Sequence, residues 1–230
     1  MSNQIGTLTE KSLHASLKEA IAQPGDQFEV KLDGFFIDIV RDELLIEIQT
    51  KNFGAMKRKL GKLLEKHPIL LIHPIPQVKW IVRETAVSTP ISRRKSPKKG
   101  KILDIFNELI RIPHLLNHPH LSIGVWLTEQ EEHWRDDGKG SWRRKKWSKG
   151  DQLLLDVHST RIFHTNADFL QLLPQNLERP FTNKQLAKAA KINARLAQKM
   201  TYTLSRCDAL TKVGKDGNSI LYEVNENYVN

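Results

Sequence analysis

In the stretch FFIDIVRDELLIEIQTKNF at residues 35–53, the side chains placed to do chemistry are Asp38, Glu47, Gln49 and Lys51. The pattern predicts a hairpin of residues 34–41 and 44–51 with Asp42 and Glu43 as its turn. A two-residue turn pairs Arg41 with Leu44, and counting back sets Asp38 opposite Glu47. Opposed residues have Cβ atoms about 4.5–5.5 Å apart, and like charges there are destabilising. Two such carboxylates do not both stay ionised unless a cation joins them; otherwise one takes a proton. With Phe36, Val40 and Leu45 around them, water does little screening. Oxygen ligands with room for water suit magnesium or manganese, held by one or two carboxylates and substrate phosphates. An ion there polarises a phosphoryl oxygen and activates a water. Gln49 would orient a ligand or water, and Lys51 would stabilise developing negative charge. The hairpin alone supports equally well a half-exposed edge whose acids pair with Lys51 or Arg41.

The elements that must hold these residues follow from periodicity. Residues 9–22 carry Leu13, Leu17 and Ile21 at helical spacing, and QFEVKL alternates as a strand. After the hairpin, residues 54–66 predict an amphipathic helix with Met56, Leu60, Leu63 and Leu64 inward. ILLIHPI predicts a strand buried on both faces, and VKWIVRE a further strand. Three strands, a helix and a buried strand predict a mixed α/β sheet with helices packed on it.

Residues 88–101, STPISRRKSPKKGK, hold six basic residues and no acidic one. They read as a loop or a phosphate-contacting arm. ILDIFNELIRI predicts a helix and LSIGVWLT a strand. HWRDDGKGSWRRKKWSKGD sets three Trp among basic residues around a turn, either a nucleic-acid contact or a solvated turn with its rings packed inward.

The last fifty residues predict helix, turn, helix and hairpin. Thr182 and Gln185 form a capping-box pair, a second helix runs through ARLAQKMTYTLSRC, and KDGN marks a hairpin turn. With residues 165–173 as a preceding helix, this resembles a winged helix-turn-helix domain. The resemblance implies DNA contact by Arg195, Gln198, Lys199 and Thr203 from the second helix. Lys184, Lys188 and Lys191 would add charge around the first helix, and Lys212 and Lys215 would bring the wing to phosphates.

The order helix, three strands, helix, strand, with Asp38 on the second strand and Glu47-x-Gln49 on the third, resembles the PD-(D/E)xK nuclease superfamily. Its resolvase-like and competence-nuclease-like branches are the most similar. That resemblance covers roughly residues 8–75. It implies a restriction-endonuclease-like αβββαβ core, magnesium bound by Asp38 and Glu47, and hydrolysis of DNA, in many members as a homodimer. Gln49 stands where the motif normally has Lys, so Lys51 or Lys57 would supply the cation. The superfamily often adds an acid from the first helix, for which Glu10 and then Glu19 are the candidates. The whole layout also looks like a group of bacterial proteins of unassigned activity that share an Ile-Glu-Ile-Gln-Thr strand and a winged-helix tail.

These readings predict a nuclease-like domain over residues 1–160 and a winged-helix domain over 161–230. Net charge is +10 over 230 residues. By block it is −1 for residues 1–60, +7 for 61–120, 0 for 121–180 and +4 for 181–230. A basic middle and tail favour a polyanion, DNA first and RNA second. One cysteine gives neither a disulfide framework nor a Cys-based zinc site. His114, His118 and His120 fit no common zinc spacing. No leader-like N-terminus or membrane-length apolar run is visible, which predicts a cytoplasmic protein with no membrane partner. The alternative function is a DNA-binding regulator on a nuclease-like core without chemistry.

Overall fold

The computed structural model describes residues 13–85, 87–140, 142 and 147–228. It is a mixed α/β protein with a seven-stranded mixed sheet and a C-terminal pair of helices with a β hairpin. Helix α1 (Leu13–Ile21) buries Leu13, Leu17 and Ile21, as the spacing predicts. Strands β1 (Gln27–Leu32), β2 (Phe35–Arg41) and β3 (Leu44–Ile48) form an antiparallel meander, with Arg41 opposite Leu44 and Ile39 opposite Ile46. A 3-10 turn (Phe53–Met56) leads into helix α2 (Lys57–Leu63), which returns the chain to strand β4 (Ile69–Glu84), parallel to β3.

Strand β4 departs from expectation. ILLIHPI and VKWIVRE are one 16-residue strand, although Pro74 and Pro76 lie inside it. Proline lacks a ladder N–H and normally excludes a central position. On one side β4 pairs with β3 only as far as Ile72, and with strand β5 (Pro90–Lys95) only from Trp80 onward. Both prolines fall between those partners. Strand β5 also revises the loop or arm expected at 88–101, since the middle of that basic segment, Pro90–Lys95, is a strand paired antiparallel to β4. A 3-10 turn (Ile102–Ile105) and helix α3 (Phe106–Leu109) follow, then strands β6 (Leu121–Arg135) and β7 (Ser148–Phe163). Strand β7 gives no clear sequence signal, because DQLLLDVHSTRIF has no strict alternation.

Helix α4 (Asn166–Leu170) precedes α5 (Asn183–Ala189), α6 (Ala194–Arg206) and the hairpin of β8 (Leu210–Asp216) and β9 (Ser219–Val224). The capping box forms as predicted: Gln185 Oε1 accepts from the Thr182 N–H at 2.7 Å, and Thr182 Oγ1 accepts from the Gln185 N–H at 3.3 Å. Asn193 caps α6 by accepting from the Leu196 N–H at 2.8 Å. Gly217 turns the final hairpin at φ 56, a conformation glycine adopts without a Cβ penalty. Among the described residues, no helix is long and apolar enough to cross a membrane.

The chain divides into two compact units. One holds the described residues within Met1–Gln23, Pro76–Gly100 and Leu127–Ser159; the other holds Pro24–Ile75, Lys101–Trp126 and those of Thr160–Asn230. The second has the larger apolar core, with Ile37, Ile39, Ile46, Leu60, Leu63, Ile69, Leu71, Phe106 and Leu109 all fully buried. In the first unit the carboxylate of Glu132, only 2% exposed, organises the sheet. It accepts from Lys79 at 2.9 Å, Lys149 at 2.8 Å, Trp134 Nε1 at 2.7 Å and Gln152 Nε2 at 2.9 Å.

Burial alone would raise the Glu132 pKa, but donation from Lys149, Lys79 and Trp134 wins and holds it at about 2. Against an unfolded value of 4.5, the linked stabilisation is up to about 3 kcal/mol. It is complete above pH 4.5 and is lost as pH falls through 2. Glu132→Gln is therefore expected to destabilise the protein at pH 7 and to flatten the acid limb of stability against pH. Urea unfolding from pH 2.5 to 7 measures both; an acid limb unchanged by the substitution contradicts the assignment.

Candidate metal centre and nucleic-acid interface

Glu47 sits in a strand buried on both faces: Leu45, Ile46, Glu47 and Ile48 are each 4% exposed or less. The alternation expected of a half-open hairpin is absent, because β3 is an interior strand of the sheet with both of its faces covered. Beyond Ile39 and Ile46 the ladder between β2 and β3 stops. There Asp38 Oδ2 accepts from the backbone N–H of Ile48 at 2.8 Å, and the Asp38 N–H donates to the Glu47 carboxylate. Each acid is thus held by the other strand's backbone, and the two carboxylates face one another's charge. Phe36, Asp38 and Val40 share a face that is open at its Phe36 end, 64% exposed, whereas Leu45 is closed off. The expected apolar enclosure exists only on the Glu47 side.

The cation that meets Glu47 is Lys59, from α2. Its Nζ lies 2.5 Å from Glu47 Oε1. At that distance the two form a close, largely buried ion pair. The same ammonium donates to the Phe36 carbonyl. One turn on, Lys62 donates to the Asp33 carbonyl at 3.2 Å, and Lys66 lies 3.6 Å from the Asp33 carboxylate. Helix α2 and the turn after it therefore clamp the β1–β2 turn and the start of β2.

Of the two cations in the edge alternative, Arg41 makes a two-pronged pair with Asp26, both contacts at 2.8 Å, and Lys51 is exposed. Lys57, offered as a substitute for the missing motif lysine, is exposed as well. Lys57 and Lys59 flank the Met56–Leu60–Leu63 stripe on opposite sides, so helical period places both at its border. Only the direction in which α2 packs selects Lys59. Gln49 follows the end of β3, its Nε2 turned onto the Lys51 carbonyl at 2.5 Å. Its backbone bonds to β4 through Ile72 O at 2.8 Å and His73 Nδ1 at 2.7 Å. Burial lowers the His73 pKa, so the ring is neutral and donates to Gln49. Glu10 lies outside the described residues, and Glu19 is exposed on α1. Among the described residues no group of three or more His, Cys, Asp or Glu is placed to hold a metal. His118 and His120 instead stack edge to face at 5.5 Å, with His120 Nδ1 3.0 Å from the Leu64 carbonyl.

The second predicted surface divides cleanly. Arg195 and Gln198 are exposed on α6, and Lys184, Lys188, Lys191, Lys212 and Lys215 are exposed around it. Thr203 is fully buried and cannot meet a ligand, because it shares the stripe of Met200 and Leu204. Lys199 donates to Asn107 Oδ1 of α3 at 2.7 Å, which commits it to packing. The outer stripe of α6 continues instead through Tyr202 and Arg206, whose guanidinium lies 5.5 Å from the Tyr202 ring. Positions 195, 198, 202 and 206 follow helical period, a signal present in the sequence. Tyr202, Arg206 and Lys212 also line a groove of about 520 Å³ between α6 and β8.

Residues 11–164 match the model of a family described as a domain of unknown function, DUF8091. The chain belongs to the DUF8091 family. A Treponema pallidum (strain Nichols) protein, described as an uncharacterized protein, is 32% identical over 220 residues, which cover 95% of this chain and 86% of its relative. No solved structure matches the chain. The family match takes in the Asp38–Glu47 hairpin and α2 but stops before α5, so the C-terminal helices and hairpin lie outside the part that defines DUF8091.

Burial, reinforced by the Asp38 carboxylate, pushes the Glu47 pKa up to about 7 despite Lys59 and the Asp38 N–H. A folded pKa above the unfolded 4.5 means that the native state holds the extra proton. Stability then falls as pH rises from 4.5 to 7, with a penalty above pH 7 of up to about 3 kcal/mol. Glu47→Gln in the presence of a chelator is expected to remove that slope and to gain about 1–3 kcal/mol at pH 8 relative to pH 4.5. Parallel urea curves for both proteins at the two pH values provide the check; an unchanged slope contradicts it.

Proposed function

We propose that this DUF8091 protein is a divalent-metal-dependent phosphodiesterase acting on DNA, with Asp38 and Glu47 as the metal ligands. The observation that carries the reading is the break in the β2–β3 ladder at these two acids, which sets the buried Glu47 carboxylate beside that of Asp38 with each held by the other strand's backbone. The donor set fits the group: two hard oxygen ligands on adjoining strands, with an open side for water and phosphate oxygens, suit magnesium or manganese. Bound there, the ion would supply Lewis-acid activation of a phosphoryl oxygen and of a water.

The chain's own residues have separate tasks. Asp38 and Glu47 keep their ligand oxygens aimed by backbone N–H groups of the opposite strand, so little reorganisation is needed. Lys59 takes the part that the sequence reading gave to Lys51: its ammonium, tethered to the Phe36 carbonyl, stabilises negative charge developing on the phosphate. Gln49 is turned away from the acids and acts through the strand end. The element order and the parallel β3–β4 pair agree with a PD-(D/E)xK-like core, and α5, α6 and the final hairpin with a winged helix. On that reading Arg195, Gln198, Tyr202 and Arg206 face the duplex, and Lys212 and Lys215 approach its backbone.

The Glu47–Lys59 ion pair also favours a second reading, a DNA-binding module without chemistry, since an ammonium already supplies positive charge beside Glu47. One experiment separates them. Purified protein with magnesium or manganese is incubated with labelled duplex, and cleavage and binding are followed for wild type, Asp38→Ala, Lys59→Ala and Lys51→Ala. The expected result is cleavage by wild type and Lys51→Ala, none by Asp38→Ala, and a loss of about 10²–10³ for Lys59→Ala, the scale of removing one donor to developing charge. Binding without cleavage by wild type sinks the hydrolase and leaves the binding module.

A further inference from the structure

A second cationic surface lies in the unit that does not hold the Asp38 site. Strand β5 pairs with β4 along one edge, Trp80 opposite Lys95 and Val82 opposite Arg93, and all six of its residues are exposed. A strand left open on one edge is a template for unwanted pairing, and charge on it is a usual defence. Defence does not explain the arrangement of these charges. Arg93 is fixed: its Nε lies 2.6 Å from Glu131, and its guanidinium stacks 3.9 Å from the centre of the Trp80 ring. Lys95 lies over the same ring at 5.6 Å. The nearby acids are engaged by other groups. Trp80 Nε1 donates to Glu129 at 2.5 Å, and His133 Nδ1 lies 2.5 Å from Glu84. Arg94, Lys98 and Lys99 are exposed on or just after the strand, and none pairs with a carboxylate among the described residues.

We propose that β5 and the turn after it, through Arg94, Lys95, Lys98 and Lys99, bind the phosphodiester backbone of a nucleic acid independently of α6 and its hairpin. Charge complementarity identifies the occupant: exposed cations along β5 and the turn after it, with no acid among residues 88–101, suit a partner whose negative charges repeat along a line. Arg93 and Lys95 both lie over the Trp80 ring, so cations rather than a base occupy the side they face. Recognition here is of phosphate rather than of sequence. The surface holds β5 as a phosphate rail, whereas the α6 stripe presents groups that can read base edges.

The test uses the full-length chain and fluorescein-labelled 20-base-pair duplexes of two unrelated sequences, with affinity measured from 50 to 300 mM NaCl. Five proteins are compared, each also against phosphatidylserine-containing vesicles: wild type, Arg94→Gln/Lys98→Gln/Lys99→Gln, the charge-preserving Lys98→Arg/Lys99→Arg, Arg195→Ala/Lys212→Ala, and the last combined with the triple substitution. Removing three phosphate contacts is expected to lower the slope of log affinity against log salt by about 2.7 for both duplexes. The charge-preserving variant keeps the wild-type slope, and the α6 and hairpin variant loses affinity but still responds to the triple substitution made on top of it. A triple variant with wild-type melting temperature and an unchanged slope overturns the proposal. So does wild-type protein that binds neither duplex, or a triple variant that loses only its binding to phosphatidylserine-containing vesicles, which would make the surface a membrane contact.

Discussion

The structure turns on a carboxylate in a place where packing calls for an apolar side chain. Glu47 occupies a strand covered on both faces and paired on both edges, and a lone charge there would be strongly disfavoured. Three local features answer this cost. The β2–β3 ladder ends one pair early, so the Asp38 N–H can turn to Glu47. The Asp38 side chain takes the Ile48 N–H in return. Helix α2 then lies across β2 so that Lys59 reaches in. These compensations leave the carboxyl near neutral pH rather than fully ionised, a condition in which a divalent cation would displace a proton.

Glu132 resolves the same problem differently. It is as buried as Glu47, yet four donors surround it and its pKa falls to about 2 instead of rising to about 7. The contrast separates an acid whose environment is complete from one whose environment is short of positive charge. Perturbed groups of the second kind are where function concentrates, and structural ion-pair networks account for the first. It is the reason the candidate site is placed at Glu47 and not in the denser charge network of β6.

Much of this was legible in the sequence where local rules act. The hairpin turn at Asp42 and Glu43, the capping box at Thr182 and the KDGN turn depend on residues a few positions apart, and each formed as read. What escaped depended on tertiary neighbours. ILLIHPI and VKWIVRE read as two strands, but they join into one because Pro74 and Pro76 fall where β4 has no partner on one side. The basic run at 88–101 read as a loop or an arm, but β4 provides a strand for its middle to pair with. Lys59 could not be told from Lys57 by period alone. Thr203 looked polar and available, but α6 turns it inward. Chemistry-bearing residue types were readable; which cation answers which acid was not.

The central claim is that Asp38 and Glu47 share one divalent cation. Manganese titration followed by electron paramagnetic resonance, with the free-ion signal as readout, tests it without reference to any substrate. The account predicts loss of free-ion signal equivalent to one ion per chain for the wild type, abolished by Asp38→Ala and by Glu47→Gln and retained in Lys51→Ala. Wild-type protein that leaves the manganese signal untouched, or binding that survives both substitutions, would contradict it.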